Sequence, residues 1–186
     1  MGSEMCIRDS GDSEGDYVGM GWLDRKDVLQ WIDWVLAQDS EAEIVLHGVS
    51  MGAATTMMTA GEDTPEQVKV FVEDCGYTSV WDIFSSELKL RFGMPEFPLM
   101  YTANLFAIAK VGYSFKEASA LNQVKNCKKP MLFIHGTADD FIPYEMMDIL
   151  SERIVILVQR MQSTNNENYD NCLLYTSPSP RDPKTS

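Results

Sequence analysis

Histidine is scarce in this sequence, with His47 and His135 the two among 186 residues. Positive charge is scarce too. Fifteen Lys and Arg stand against 28 Asp and Glu, a net charge of -13. Such a balance argues against nucleic acid and anionic membrane surfaces as partners, because both attract cations. Four cysteines make no disulfide framework and show no metal-ligand spacing, so no metal and no cofactor is expected. Cys75 and Cys127 read as ordinary thiols of a reducing compartment, which suggests a cytoplasmic location. No apolar run is long enough to span a bilayer, and no signal peptide is read at the N-terminus. What remains is ordinary for a packed domain: 45% hydrophobic and 23% charged residues.

The most informative stretch is Gly48-Val49-Ser50-Met51-Gly52. It follows the apolar run Ile44-Val45-Leu46-His47 and opens a small-residue helix beginning Ala53-Ala54-Thr55. Strand, G-x-S-x-G, helix is the context of a nucleophile elbow. A sharp strand-to-helix turn needs neighbours without side chains, and it lifts the Ser hydroxyl above the sheet. The first helical N–H groups and the positive dipole end can then face a developing oxyanion. Ser50 is the candidate nucleophile. The plainer alternative is a tight glycine turn packing a helix on a sheet.

Around this turn, strands and helices alternate. Asp24 to Gln38 reads as a helix with Val28, Trp31, Ile32, Val35 and Leu36 on one face, so its tryptophans are expected in the core. Strands are expected at Glu43–His47, Val68–Val72, Met131–His135 and Ile154–Val158, and a helix from Pro143 to Leu150. Short apolar strands separated by helices imply a mostly parallel sheet covered on both faces, an α/β fold. Catalytic groups in such sheets gather at the carboxyl ends of the strands. Ser50, Asp74 and Asp139 all follow expected strands. Residues 76–126 exceed a simple crossover. Helices at Val80–Leu90 and Leu99–Lys110, broken by Gly93-Met94-Pro95-Glu96-Phe97-Pro98, form either a lid over the site or packing against the sheet.

An acid is expected in His135-Gly136-Thr137-Ala138-Asp139-Asp140-Phe141-Ile142-Pro143. A carboxylate after a strand and a glycine turn can orient an imidazole and stabilise its cation. Asp139 is the first choice and Asp140 the second; an Asp capping the following helix is the plain alternative. The chain order in such sites is Ser, acid, His, yet no His follows the acid. His47 reads as a packed or hydrogen-bonded structural residue, and His135 as a brace for the acid turn.

Both ends resemble foreign sequence. Cys172 to Asp182 matches, codon by codon, one strand of a sequencing-library transposon adapter, and Met1 to Asp9 matches the other strand. Residues 1–10 and 172–186 are therefore set aside as non-native. Residues 11–150 are expected to be a partial domain of a longer protein, and 151–171 an uncertain segment, frameshifted or divergent.

Gly11-Asp12-Ser13-Glu14-Gly15, His47 to Gly52, Asp74-Cys75-Gly76-Tyr77 and His135 to Pro143 together resemble the α/β-hydrolase family, most of all its serine-aminopeptidase-like and prolyl-oligopeptidase-like branch. The resemblance covers roughly residues 11–150. It implies an α/β-hydrolase fold, incomplete at both ends here. It also implies ester, thioester or amide cleavage of a small-molecule or peptide acyl substrate through an acyl-enzyme. Ser50 matches the family nucleophile, Asp139 the acid, and the Met51 N–H one oxyanion donor. The family His has no counterpart, so this polypeptide is expected to be inactive. The rival expectation is a non-catalytic binding module of the same fold.

Overall fold

The computed structural model describes residues 17–136, 139–151 and 158–163. The Gly11–Gly15 loop and both adapter-like ends lie outside these residues.

Helix α1 (Asp24–Gln38) leads into strand β1 (Ile44–Val49), the elbow at Ser50 and helix α2 (Met51–Ala60). Strand β2 (Val68–Asp74) follows, then helices α3 (Val80–Phe92), α4 (Leu99–Val111) and α5 (Ala120–Val124). Strand β3 (Met131–Gly136), helix α6 (Tyr144–Ser151) and strand β4 (Val158–Ser163) complete the order. The strands form one sheet in the order β1-β2-β3-β4, parallel throughout. Branched residues at Ile44, Val45, Val68, Val70 and Val72 favour extended backbone here.

The register divides the sheet into two faces. Leu46, Phe71 and Met131 are level on one side, while Val45 pairs with Val70, and His47 with Val72 and Leu132, on the other. Helix α2 packs against β1 and β2, α6 against β3, and α1 and α5 lie against α2. Fully buried Ala53 and Ala54 let α2 approach the sheet closely. Phe71, Phe133, Met57, Met58, Met131 and Met147 fill the space between. Each such side chain contributes about 1.5–3 kcal/mol by leaving water.

Three expectations change on folding. Helix α1 turns Val28, Leu29, Ile32 and Leu36 to the core, leaving Trp31 and Trp34 more than half exposed in an edge-to-face pair at 5.7 Å. The core stripe is narrower than the apolar set of the sequence, and the larger rings fall on its flank. His47 is exposed on the outer face of β1 rather than packed. The last strand begins where the apolar run ends: Val158 is level with Met131 and Ser163 with Gly136. Residues 152–157 lie outside the described residues. Strand pairing is made by backbone groups, so a polar stretch can complete an edge where no side-chain pattern announces it.

Residues 76–126 divide by function in the fold. Helix α5 joins the core against α2. Helices α3 and α4 form an arm with a small core of its own, Trp81, Leu88 and Met100. Ser79 caps α3 by accepting from the Asp82 N–H at 3.0 Å, and Gly93 ends it in the left-handed region at φ 62°. Beyond Met100 and Ala107, α4 shows Leu105, Phe106 and Ile108 to solvent, and Phe97 before it is 72% exposed. A helix apolar on nearly every side is ordinarily a covered one. Val45 and Val49 are also open on β1, and exposed apolar surface of this kind favours association. The isolated polypeptide is therefore expected to self-associate. Light scattering that reports a monodisperse monomer with one cooperative melt would contradict this.

Candidate active site

The elbow has the backbone that the sequence pattern implies. Ser50 stands at φ 57°, ψ −118°, a strained conformation for a residue with a side chain. Its N–H donates to the Asp74 carbonyl at 2.8 Å, tying the elbow to the end of β2, and its carbonyl accepts from Ala54 N–H at 3.1 Å to start α2. Only one of the two motif glycines is sterically required. A Cβ at Gly48 would stand 2.0 Å from the Gly52 carbonyl oxygen, whereas a Cβ at Gly52 would meet nothing within 4 Å. Met51 opens the helix, so its N–H is among those without an intrahelical acceptor and lies beside the Ser50 side chain.

The acid turn sits at the end of β3, two strands from the elbow, or about 10 Å by ordinary strand spacing. Asp139 uses one carboxylate oxygen to hold the turn: Oδ1 accepts from the N–H groups of Phe141 and Ile142, both at 2.9 Å. The other oxygen, Oδ2, lies 3.8 Å from His135 Nε2. Asp140 is exposed. His135 is 1% exposed, and its Nε2 lies 2.9 Å from the Ile142 carbonyl. A carbonyl only accepts, so that nitrogen carries the proton. His135 thus braces the acid turn from beneath. His47 is exposed on the outer face of β1. Among the described residues, no group of three His, Cys, Asp or Glu is arranged to hold a metal ion.

Two further carboxylates end β2, and alternation turns them apart. Glu73 is fully buried on the α2 side, where Oε2 accepts the Gly76 N–H at 2.9 Å. Burial pushes its carboxyl up to about 8. The raised value means that Glu73 favours folding fully below pH 4.5 and loses that contribution as pH rises toward 8. The loss is on the order of a few kcal/mol. Wild-type stability should therefore fall across that window, and Glu73→Gln should flatten the fall. Urea midpoints at several pH values test this; parallel curves would contradict it. Asp74 is also buried, and burial raises its pKa as well, opposed by His47 and His135.

Helix α3 reaches the acid turn. The Arg91 guanidinium lies 5.3 Å from the Phe141 ring centre and pairs with Glu87. The arm thus borders the turn at the carboxyl end of β3.

A strained serine before a helix, an acid held by its turn and a parallel sheet that aligns them recur in known hydrolases. A sequence profile of the prolyl oligopeptidase family matches residues 19–170. The chain belongs to that family. It is 27% identical over 147 residues to the uncharacterized protein YqkD of Bacillus subtilis, covering 78% of this chain and 48% of that one. The chain thus spans about half the length of this relative. Among solved structures, the Pyrococcus furiosus esterase Pf2001 superposes with a TM-score of 0.62 at 20% identity, over 84% of this chain and 58% of that one. The Pyrococcus horikoshii acylaminoacyl peptidase superposes with a TM-score of 0.58 at 16% identity, over 78% and 23%. These likenesses identify the α/β-hydrolase fold, with its parallel sheet. No helix among the described residues is long and apolar enough to cross a membrane.

Proposed function

We propose that this family member is a serine hydrolase in which Ser50 attacks an ester, thioester or amide carbonyl and carries the acyl group. The observation that carries this reading is Ser50 held at positive φ between β1 and α2. The Met51 N–H receives the charge that develops on the carbonyl oxygen. Asp139 Oδ2 orients the imidazole that takes the serine proton, an imidazole that a longer protein carrying this segment would supply, while Oδ1 keeps the turn in place. Water then releases the acyl group. Small-molecule and peptide acyl substrates fit a mouth bordered by Phe141 and the α3–α4 arm. The charge of -13 favours such substrates over nucleic acid. Cys75 and Cys127 form no disulfide, in keeping with a reducing, cytoplasmic setting.

The base is neither His47 nor His135. One is exposed on the outer face of β1, and the other is committed beneath the acid turn. A polypeptide of this sequence therefore turns over substrate at no more than trace rate, as a binding module would, while keeping the reactive serine geometry. Slow modification of Ser50 by a fluorophosphonate, located by peptide mass analysis, with negligible turnover of a p-nitrophenyl ester, is the expected pair of results. Fast, saturable ester turnover that Ser50→Ala abolishes would return the role of base to one of the two histidines.

A further inference from the structure

Asp74 plays no part in the mechanism above, yet it lies between its two halves. In the sheet register it is level with Val49, the residue before Ser50, and with Ile134 on the strand that carries the acid turn. Its main-chain carbonyl holds the Ser50 N–H. Asp74 is 4% exposed, and its Oδ1 has no hydrogen-bond partner. The Cys75 thiol bonds the carboxylate, and the ionisable groups acting on it are His47, His135 and Asp139. None of these is a Lys or Arg. A carboxylate taken out of water with an oxygen left unpaired is costly unless a cation or donor reaches it. Here a second carboxylate, Asp139, faces the same end of the sheet and adds repulsion.

We propose that Asp74 is a second acidic group of the site, whose Oδ1 accepts a hydrogen bond from a protonated nitrogen seated between Ser50 and Asp139. The shared chemistry is that of an N–H cation. It is supplied either by the imidazolium that forms when the base takes the serine proton, or by an ammonium group of the substrate. The proposal rests on the reading of Ser50 and Asp139 given above. Two carboxylates around one cation relieve their mutual repulsion and hold the charge more firmly than either does alone. Asp74 acts through that cation, as a positioning residue for the base or as a recognition residue for the substrate.

The full chain allows a direct test with free imidazole and with ethylammonium as probes. Imidazole binding is followed by the broadening of its own NMR lines, and Ser50 modification by a fluorophosphonate is timed in the same samples. In that step imidazole takes the Ser50 hydroxyl proton as the Oγ–phosphorus bond forms and fluoride leaves. Saturable imidazole binding, weakened about tenfold in Asp74→Asn, is the expected result. Asp74→Glu, which keeps the charge, should recover part of it. Ethylammonium that fails to displace imidazole assigns the seat to the protein's base. Ethylammonium that competes assigns it to a substrate ammonium. Should Asp74→Asn fail to fold, carboxyl resonances of isotopically labelled aspartate in the wild type report the same event, with the Asp74 signal moving as imidazole is added. Linear, unsaturable imidazole dependence, equal binding by a folded Asp74→Asn, or an unmoved Asp74 signal would overturn the proposal. Saturable binding with a Ser50 that never reacts would leave Asp74 in place and remove the hydrolase reading instead.

Discussion

Ser50→Ala is expected to abolish covalent modification by fluorophosphonates, and in a full-length protein carrying this segment to lower kcat by roughly 10⁶-fold. The size follows from the way nucleophile, base and acid act as one unit: loss of the serine hydroxyl removes the acyl carrier itself. Substrate binding should change little, because the substitution removes one hydroxyl and leaves the neighbouring side chains in place. The substitution should also fold, since the elbow is held by the Ser50 main chain, through Asp74 and Ala54, and not by its hydroxyl. Alanine keeps a Cβ at φ 57°, so the strain is unchanged. Intact-mass analysis before and after the probe reads the result. A Ser50→Ala protein that is still labelled at wild-type rate would place the nucleophile elsewhere.

Asp139→Asn is expected to reduce turnover in the full-length protein by about 10⁴-fold, with Asp140→Asn nearly silent. The contrast comes from the turn. An asparagine at 139 can still accept the Phe141 and Ile142 N–H groups through its carbonyl oxygen, so the fold is kept. Its amide nitrogen then stands where Oδ2 stood, a donor facing the N–H of the imidazole. The base is pushed to the wrong tautomer, and its cation loses a counter-charge. Asp140 is exposed and carries no such duty. Steady-state kinetics of the two variants side by side decide the matter. A large loss in Asp140→Asn with little change in Asp139→Asn would move the acid one residue along the turn.

Glycine, serine and apolar runs made much of this architecture legible before folding. The alternation of strands and helices from Asp24 to Leu150 followed from short branched runs and 3.6-residue periodicity, because both patterns reflect which side of an element is covered. The elbow was legible because few sequences meet the steric demand at Gly48 and the positive φ at Ser50. Other features had no local signal. Trp31 and Trp34 share the apolar character of the core stripe, and only the packing of α1 on α2 left them outside it. The polar residues of β4 announce no strand, because edge pairing is a backbone matter. His47 looked structural beside the elbow, yet strand alternation turned it outward.

By itself, then, the sequence determined the parallel α/β class, the strained serine and the acid turn, since each depends on residues within a few positions of one another. The tertiary structure decided the rest. It committed His135 to Ile142 beneath the turn, set Glu73 and Asp74 on opposite sides of β2, and placed a buried, half-satisfied carboxylate between the serine and the acid. Those properties arise from strand register and burial, which join residues far apart in the chain and which no local pattern records.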